Sequence, residues 1–410
     1  MNYLATLVIS IGLLFGVFSD DTQQAQALEA QYIHALAPAM FPLKNRGSEL
    51  QKAALQTGDL LPIYGSSELA FDNPYHASTV FASYPTGFTI FPVGGGQTTS
   101  LIILEDVAAE ADALHGQKIV ISVSPPFFFL HDRPAEFYAS ESTDLHLSSL
   151  VFSPDLSLVT KEAAAKELEN SPAMLKQDPQ VALAVERLAS GSDADLALYE
   201  QSLPAGEMQT ARLRSQDVSD TIQYIRSLSD VDPDVPRQPA TLDWPALLQQ
   251  AEVEQQASAD NNPFGFDNQV WSDKYSRLLP ERQAEYNDAW LVDNLDHTAE
   301  FMDLDLLLRG LSELGAQPLV ISQPIPGIYY DYVGVSQQAR MQYYSRLRAL
   351  CAAYGVPVVD FENHDDDPYF VSDPNSHLGR LGWVFYDQAL DAFYHGTMDQ
   401  LDPAEWSSGQ

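Results

Sequence analysis

Three short stretches of this sequence carry side chains suited to covalent chemistry at a carbonyl. Gly65-Ser66-Ser67-Glu68 follows the apolar run Leu60-Leu61-Pro62-Ile63-Tyr64, Gly94-Gly95-Gly96-Gln97 follows the run from Phe88 to Val93, and Asp373 and His377 flank a short loop near the C-terminal end. A serine hydroxyl is a poor nucleophile until a base removes its proton and donors stabilise the oxyanion. Ser67 would supply the nucleophile, His377 the base, Asp373 the carboxylate that fixes the imidazole tautomer, and the glycine loop the donors. Each stretch also has a plainer reading. A Gly-Ser-Ser turn after a strand is usually only a turn, three glycines are most often flexibility, and an aspartate four residues from a histidine is more often a cap or a surface pair.

Those residues need a scaffold that brings distant loops together. The runs Leu60 to Tyr64, Phe88 to Val93, Lys118 to Val123, Pro318 to Ile321 and Val356 to Phe361 are short and apolar, and Gly, Pro or Ser closes most of them, as buried parallel strands tend to be. Helical periods lie between them over Thr98 to Leu114, Phe301 to Leu314, Gln337 to Tyr354 and Leu381 to Tyr394. This alternation predicts an α/β fold with a parallel sheet covered on both faces and functional groups on loops at the carboxyl ends of the strands. The chain divides into residues 1–27, a first α/β part over 28–142, a helical acidic insertion over 143–294, and a second α/β part over 295–410 that carries the Asp373 to His377 loop. The insertion holds helix-forming acidic sequence such as Lys161 to Glu169, with Pro- and Asp-rich connections such as Ser229 to Pro239.

Composition narrows the function. The 410 residues include 57 aspartates and glutamates against 21 lysines and arginines, a formal net charge of -36. That field repels nucleic-acid phosphates, and no basic stripe interrupts it, so nucleic acid is excluded as a partner. Solubility in a salty or acidic setting explains the charge equally well. The stretch Leu4 to Phe18 is nearly all apolar and reads as a membrane-targeting segment. Its helix would span about 22 Å, short of a hydrocarbon core of roughly 30 Å, so an anchor and a cleaved signal ending at Ala25-Gln26-Ala27 both stand. Either way the body lies outside the cytoplasm.

Cys351, the single cysteine, lies among apolar neighbours and reads as core packing. His364 with Asp365, Asp366 and Asp367 reads as a solvated acidic loop without ligand spacing, and no metal site or cofactor is expected. His76 either lies near Ser67 or caps the following turn.

The order of these features, serine early and Asp-His last, is that of the SGNH or GDSL hydrolases, and eight collinear blocks resemble a narrower family, DltD. Tyr64-Gly-Ser-Ser-Glu-Leu69 and Asn73-Pro-Tyr-His76 resemble its first two blocks, Gly94-Gly-Gly-Gln-Thr-Thr-Ser-Leu101 its glycine-rich segment, and Gly116 to Pro125 its next strand. Asn262-Pro-Phe-Gly265 with Trp271, Glu300-Phe-Met-Asp-Leu-Asp305, Gly327-Ile-Tyr-Tyr-Asp-Tyr-Val-Gly334 and His377-Leu-Gly-Arg-Leu-Gly-Trp383 are similar to the later ones.

The resemblance implies an SGNH-hydrolase-like three-layer sandwich behind an N-terminal membrane segment. It implies a serine acyltransferase in D-alanylation of a cell-envelope polymer such as teichoic acid. Its partners would be a membrane-bound O-acyltransferase of the DltB kind, a D-alanyl donor or carrier, and the polymer acceptor. It makes Ser67, rather than Ser66, the nucleophile and His377 the base. The family's Asp-x-x-His becomes Asp373-Pro-Asn-Ser-His377 here, with one extra residue, which leaves Asp366 and Asp367 as fallbacks for Asp373. Gly95, Gly96, the Ser67 amide and the Gln97 side chain are the candidate oxyanion donors, with Ser66, Glu68, His76, Tyr330 and Asp331 as candidate cleft residues. An esterase or thioesterase of the same fold and a non-catalytic adaptor for the acyltransferase are the rival readings.

Overall fold

The apolar runs become five parallel strands, β1 (Leu60–Gly65), β2 (Thr89–Gly94), β3 (Lys118–Val123), β4 (Gln317–Ser322) and β5 (Val358–Val359), paired side by side in the order β2-β1-β3-β4-β5. The computed structural model describes residues 23–70, 72–131, 141–176, 178–234 and 241–401. Alternate side chains on each strand enter opposite cores. Leu60, Tyr64, Ile119, Ile121 and Val320 join one apolar cluster, and Leu61, Ile63, Val120, Leu319 and Ile321 the other. The first cluster is closed by the helices Glu49–Thr57, Ser100–Ala109, Ala299–Leu314 and Gln337–Ala353, the second by Ala77–Ser83 and Arg380–His395. The result is a three-layer α/β sandwich.

Two expected elements are shorter than their sequence pattern. The helix predicted from Thr98 to Leu114 breaks at Glu110, leaving Ser100–Ala109 and Ala111–Leu114. The fifth strand shrinks to two residues because Phe361, at φ 51°, turns the chain out of the extended conformation. The apolar segment Leu4 to Phe18 lies outside the described residues, as does part of the Ser229 to Pro239 connection. A helix over 23–36 contains the proposed boundary at residue 27 and buries Ala25. Among the described residues no helix is long and apolar enough to cross a membrane.

The insertion is helical because its helix starts are marked in the sequence. Thr143, Ser157, Asp178, Ser192 and Asp243 each accept a hydrogen bond from a main-chain N–H two or three residues on, and Pro179 follows Asp178 at the first helical position. The helix Asp193–Ser227 runs through Pro204 and is about 52 Å long at 1.5 Å per residue. Leu147, Leu150, Val181 and Ile225 of the insertion join the first core, whereas Ala251 joins the second, so it covers both faces of the sheet.

Acidic residues penetrate the first core as well as the surface. Glu105, Asp106, Glu110, His146 and Asp217 are all nearly or fully buried, with His146 Nδ1 2.7 Å from Asp106 Oδ1. Asp217 accepts from the N–H groups of Ser48 and Glu49 at 2.6 and 2.9 Å, capping the helix Glu49–Thr57 from 168 residues away. Burial, then the charge of Asp106, pushes the Glu110 carboxyl well above the usual carboxylate range. Burial likewise raises Glu105, Asp106 and Asp217, and raises Glu29 to about 8.

These shifts fix the sign of the pH dependence. A carboxyl whose folded pKa is raised contributes stability that is present below its unfolded pKa and is lost as pH rises through the folded one. His76, which burial lowers to about 4, and the buried Lys44, also lowered by burial, act in the opposite sense. Glu110→Gln removes one of the acidic contributions without changing shape. The stability of that variant relative to the wild type should therefore rise steadily from about pH 5 to about pH 8 in urea unfolding. A difference that is flat over that range would contradict a buried, proton-binding Glu110.

Candidate active site

Two glycines let the serine turn and the glycine loop approach each other. Gly65 and Gly94 end β1 and β2 as register partners. A Cβ on Gly65 would lie 2.4 Å from Glu68 Oε1, and one on Gly94, at φ 121°, would lie 2.0 Å from the Gly65 carbonyl oxygen. Ser67 then opens a single 3-10 turn, Ser67–Ala70. The glycine loop folds over this turn with Gln97 in the left-handed region at φ 76°, its N–H donating to Ser66 Oγ at 3.1 Å.

The loop after β5 completes the constellation. Ser67 Oγ lies 2.8 Å from His377 Nε2, and His377 Nδ1 lies 2.7 Å from Asp373 Oδ2. The second oxygen, Asp373 Oδ1, accepts from the Asn375 N–H at 2.8 Å. The loop is closed by the Ser372 N–H, which donates to the His377 carbonyl at 2.7 Å, and by an antiparallel bridge between Val371 and Leu378. Ser376 takes up the additional residue in the left-handed region, at φ 65°. Asp373 therefore reaches the imidazole despite the longer spacing. Asp366 and Asp367 serve other contacts, Asp366 beside Gly327 and Asp367 accepting from the Tyr369 N–H at 2.9 Å.

His377 is 7% exposed. Burial alone would lower its pKa, but the charge and hydrogen bond of Asp373, helped by Glu68 and opposed by Lys274, outweigh burial and leave it raised. An arrangement of hydroxyl, imidazole and carboxylate in this order can move a proton from Ser67 to His377 as the serine oxygen attacks a carbonyl.

The expected donors divide. The Gly95 N–H donates to Thr98 Oγ1 at 3.0 Å and the Gln97 N–H to Ser66 Oγ, so neither main-chain amide is available to an oxyanion. The N–H groups of Ser67 and Gly96 meet no acceptor among the described residues. The cleft candidates divide too. His76 is a helix cap, its Nδ1 accepting from the Ser78 N–H at 3.1 Å while its ring packs 4.1 Å from that of Trp383, and it does not open onto the site. Tyr330 is buried beneath the loop against Phe129 and Tyr286, and Asp331 is an exposed residue whose carboxylate pairs with the buried Arg340 at 2.6 Å. Ser66 and Glu68 belong to the serine turn itself. Cys351 is buried in the first core, its thiol pushed up to about 12 by burial. His364 stacks on Phe370, and no acidic or histidine cluster among the described residues has the geometry of a metal site.

Residues of the insertion that carry no sequence signature hold the Asp-His loop. Asn375 Nδ2 donates to Tyr275 OH at 2.8 Å, the Asp267 N–H donates to the Ser372 carbonyl at 2.9 Å, and the Arg380 N–H donates to Gln255 Oε1 at 2.7 Å. Asn262 builds the approach to this contact, its Oδ1 accepting from the N–H groups of Phe264 and Phe266. The side chain of Phe264 then packs edge-on against Tyr329, at 5.4 Å between ring centres. Only the Asn-Pro-Phe-Gly segment was visible in advance, as one of the resembling blocks.

A family model described as DltD protein matches residues 37–395, which include the whole sheet, the insertion and all three members of the constellation. The chain belongs to the DltD family. Protein DltD of Bacillus subtilis (strain 168) is 28% identical over 362 residues, 88% of each chain. Protein DltD of Staphylococcus aureus (strain NCTC 8325 / PS 47) is 24% identical over 346 residues, 84% of this chain and 83% of its own. Protein DltD of Lacticaseibacillus rhamnosus is 22% identical over 374 residues, 89% and 84% of the two chains. In this member of the family the insertion and the Asp-His loop form one hydrogen-bonded unit through Tyr275 and Asn375.

That unit makes a prediction. Tyr275→Phe removes one buried hydrogen bond and should cost about 1 kcal/mol of stability. Asp373→Asn removes the main group that favours the imidazolium, so the His377 resonance should titrate at lower pH than in the wild type. Proton NMR of the imidazole reads the second effect directly, and an unchanged titration would rule out Asp373 as its partner in solution.

Proposed function

We propose that this chain is an extracytoplasmic serine acyltransferase, of SGNH-like design, that works in the D-alanylation of a cell-envelope polymer such as teichoic or lipoteichoic acid. Membership of the DltD family supports the process. The continuous hydrogen bonding from Ser67 through His377 to Asp373 supports the chemistry and is the observation that carries it. The Leu4 to Phe18 segment would tether the body outside the membrane or be removed on export.

In the proposed reaction Ser67 Oγ attacks the D-alanyl carbonyl of an activated donor while His377 Nε2 takes the hydroxyl proton. Asp373 holds the imidazole tautomer and stabilises the imidazolium. The N–H groups of Ser67 and Gly96 face the oxyanion, and collapse expels the donor's leaving group with the proton from His377. A polymer hydroxyl then attacks the acyl-enzyme as His377 takes its proton, which returns to Ser67 Oγ as the ester passes to the polymer. The step exchanges one ester or thioester for another ester and balances without a cofactor. The donor would come from a membrane-bound O-acyltransferase of the DltB kind or a D-alanyl carrier. Both Ser67 and His377 are at least partly buried, which favours transfer over loss to water. The negative surface suits the alanyl ammonium but repels the phosphates of a teichoic acid, which leaves the identity of the acceptor polymer open.

A fluorophosphonate probe tests the reading. Ser67 should be the labelled residue, Ser67→Ala should abolish labelling, and His377→Ala should slow it on the order of 10³-fold. Because the base must be neutral and its pKa is raised, the labelling rate should climb with pH through an inflection above the ordinary histidine value of about 6.5. A folded wild type that does not react, alone or with its membrane partner, would favour the adaptor reading.

A further inference from the structure

Glu68 directly follows the nucleophile, yet its side chain is fully buried. A carboxylate in such a place is costly unless its oxygens are engaged. One is: Glu68 Oε1 accepts from the Ser66 N–H at 2.9 Å. The other, Oε2, has no hydrogen-bond partner among the described residues. The first contact shapes the whole turn. Glu68 Oε1 occupies the space that a side chain at position 65 would need, with Ser122 Cβ closing the same space, so Gly65 and Glu68 require each other. Ser66, held at its N–H by Glu68, accepts at its Oγ from the Gln97 N–H. A chain of contacts thus runs from the Glu68 carboxylate through Ser66 to the glycine loop, tying the nucleophile to the loop that faces it.

A glutamine could make the Ser66 contact with its carbonyl oxygen at a lower cost of burial. The charge calls for a separate reason, and the neighbourhood supplies one. The groups acting on the His377 imidazole include Asp373 from its own loop, Glu68 from the serine turn and Lys274 from the insertion. Glu68, in the turn whose Ser67 hydroxyl meets His377 Nε2 at 2.8 Å, opposes the unfavourable effects of burial and of Lys274.

We propose that Glu68 is a positioning residue with two functions: its carboxylate braces the Ser67 turn against the glycine loop through Ser66, and its charge, with that of Asp373, supports the imidazolium of His377. The proposal rests on the acyl-transfer reading for its purpose, although not for its test. No proton passes through Glu68. It acts on His377 through space, while the proton moves between Ser67 Oγ and His377 Nε2.

The two functions separate in two variants. Glu68→Gln keeps an acceptor for the Ser66 N–H and removes the charge, whereas Glu68→Ala removes both. In a Ser67→Ala background, which needs no acyl donor, proton NMR should show His377 titrating lower by about half a pH unit or more in Glu68→Gln. With Ser67 restored, the pH profile of fluorophosphonate labelling should move the same way, with the high-pH plateau of Glu68→Gln within about threefold of the wild type. Glu68→Ala should lose the plateau by about tenfold or more, because the brace is gone. An unmoved His377 titration in folded Glu68→Gln would overturn the charge role, and a wild-type plateau in Glu68→Ala would overturn the brace. A wild type that fails to label bears on the acyl-transfer reading alone, since the imidazole titration still decides the charge role of Glu68.

Discussion

The 2.8 Å hydrogen bond between Ser67 and His377 joins groups 310 residues apart. Closing so long a stretch of chain costs about 5 kcal/mol by its logarithmic dependence on length. A single hydrogen bond returns roughly 1 kcal/mol, so it cannot draw these ends together by itself. The sheet does so. β1 carries Ser67 at its carboxyl end and lies next to β3, β3 next to β4, and β4 next to β5, whose outgoing chain leads to His377. Parallel pairing puts all these carboxyl ends on one side, and the two apolar cores hold the strands there. The site is a by-product of sheet order, and its geometry is as secure as the packing beneath it.

Charge is handled in opposite ways at the two ends of the molecule's polarity scale. Buried carboxyls such as Glu110 avoid the cost of ionisation by holding their protons more tightly. At His377 the same environment of low polarity is turned to use. Asp373 and Glu68 outweigh desolvation, so that a buried imidazole retains its affinity for a proton. The insertion contributes to both. Asp217 and His146 belong to the buried acidic region, while Lys274 and Tyr275 stand beside the Asp-His loop.

Much of the scaffold was legible in the sequence because it depends on local pattern. Short apolar runs, most of them ending in Gly, Pro or Ser, located all five strands, and Ser, Thr or Asp caps mark the starts of the insertion's helices. That Ser67, His377 and Asp373 meet was legible chiefly through the family resemblance, since each stretch by itself also reads as a turn, a cap or a surface pair. What escaped was set by contacts between distant segments. Nothing local to Gln97 announces that Ser66, 31 residues away, accepts from its N–H, and the left-handed Phe361 that shortens β5 has no turn signature. His76 reads equally as a cleft residue or as a cap; it is a cap, and the ring that packs on it belongs to the distant Trp383. Asp331 looked similar, but its exposed carboxylate pairs with the buried Arg340. Tyr275 had no spacing or motif to single it out, because its partner Asn375 is 100 residues away.

The solitary thiol of Cys351 has a practical consequence. It is fully enclosed and strongly disinclined to ionise, while the rest of the sequence contains no other cysteine. Maleimide chemistry therefore meets an almost blank background on the folded protein. A cysteine installed on the exposed Met208, on the long helix of the insertion, would take a fluorophore or spin label at one place only. The surroundings of the insertion can then be read from that one label, with the native thiol left in place.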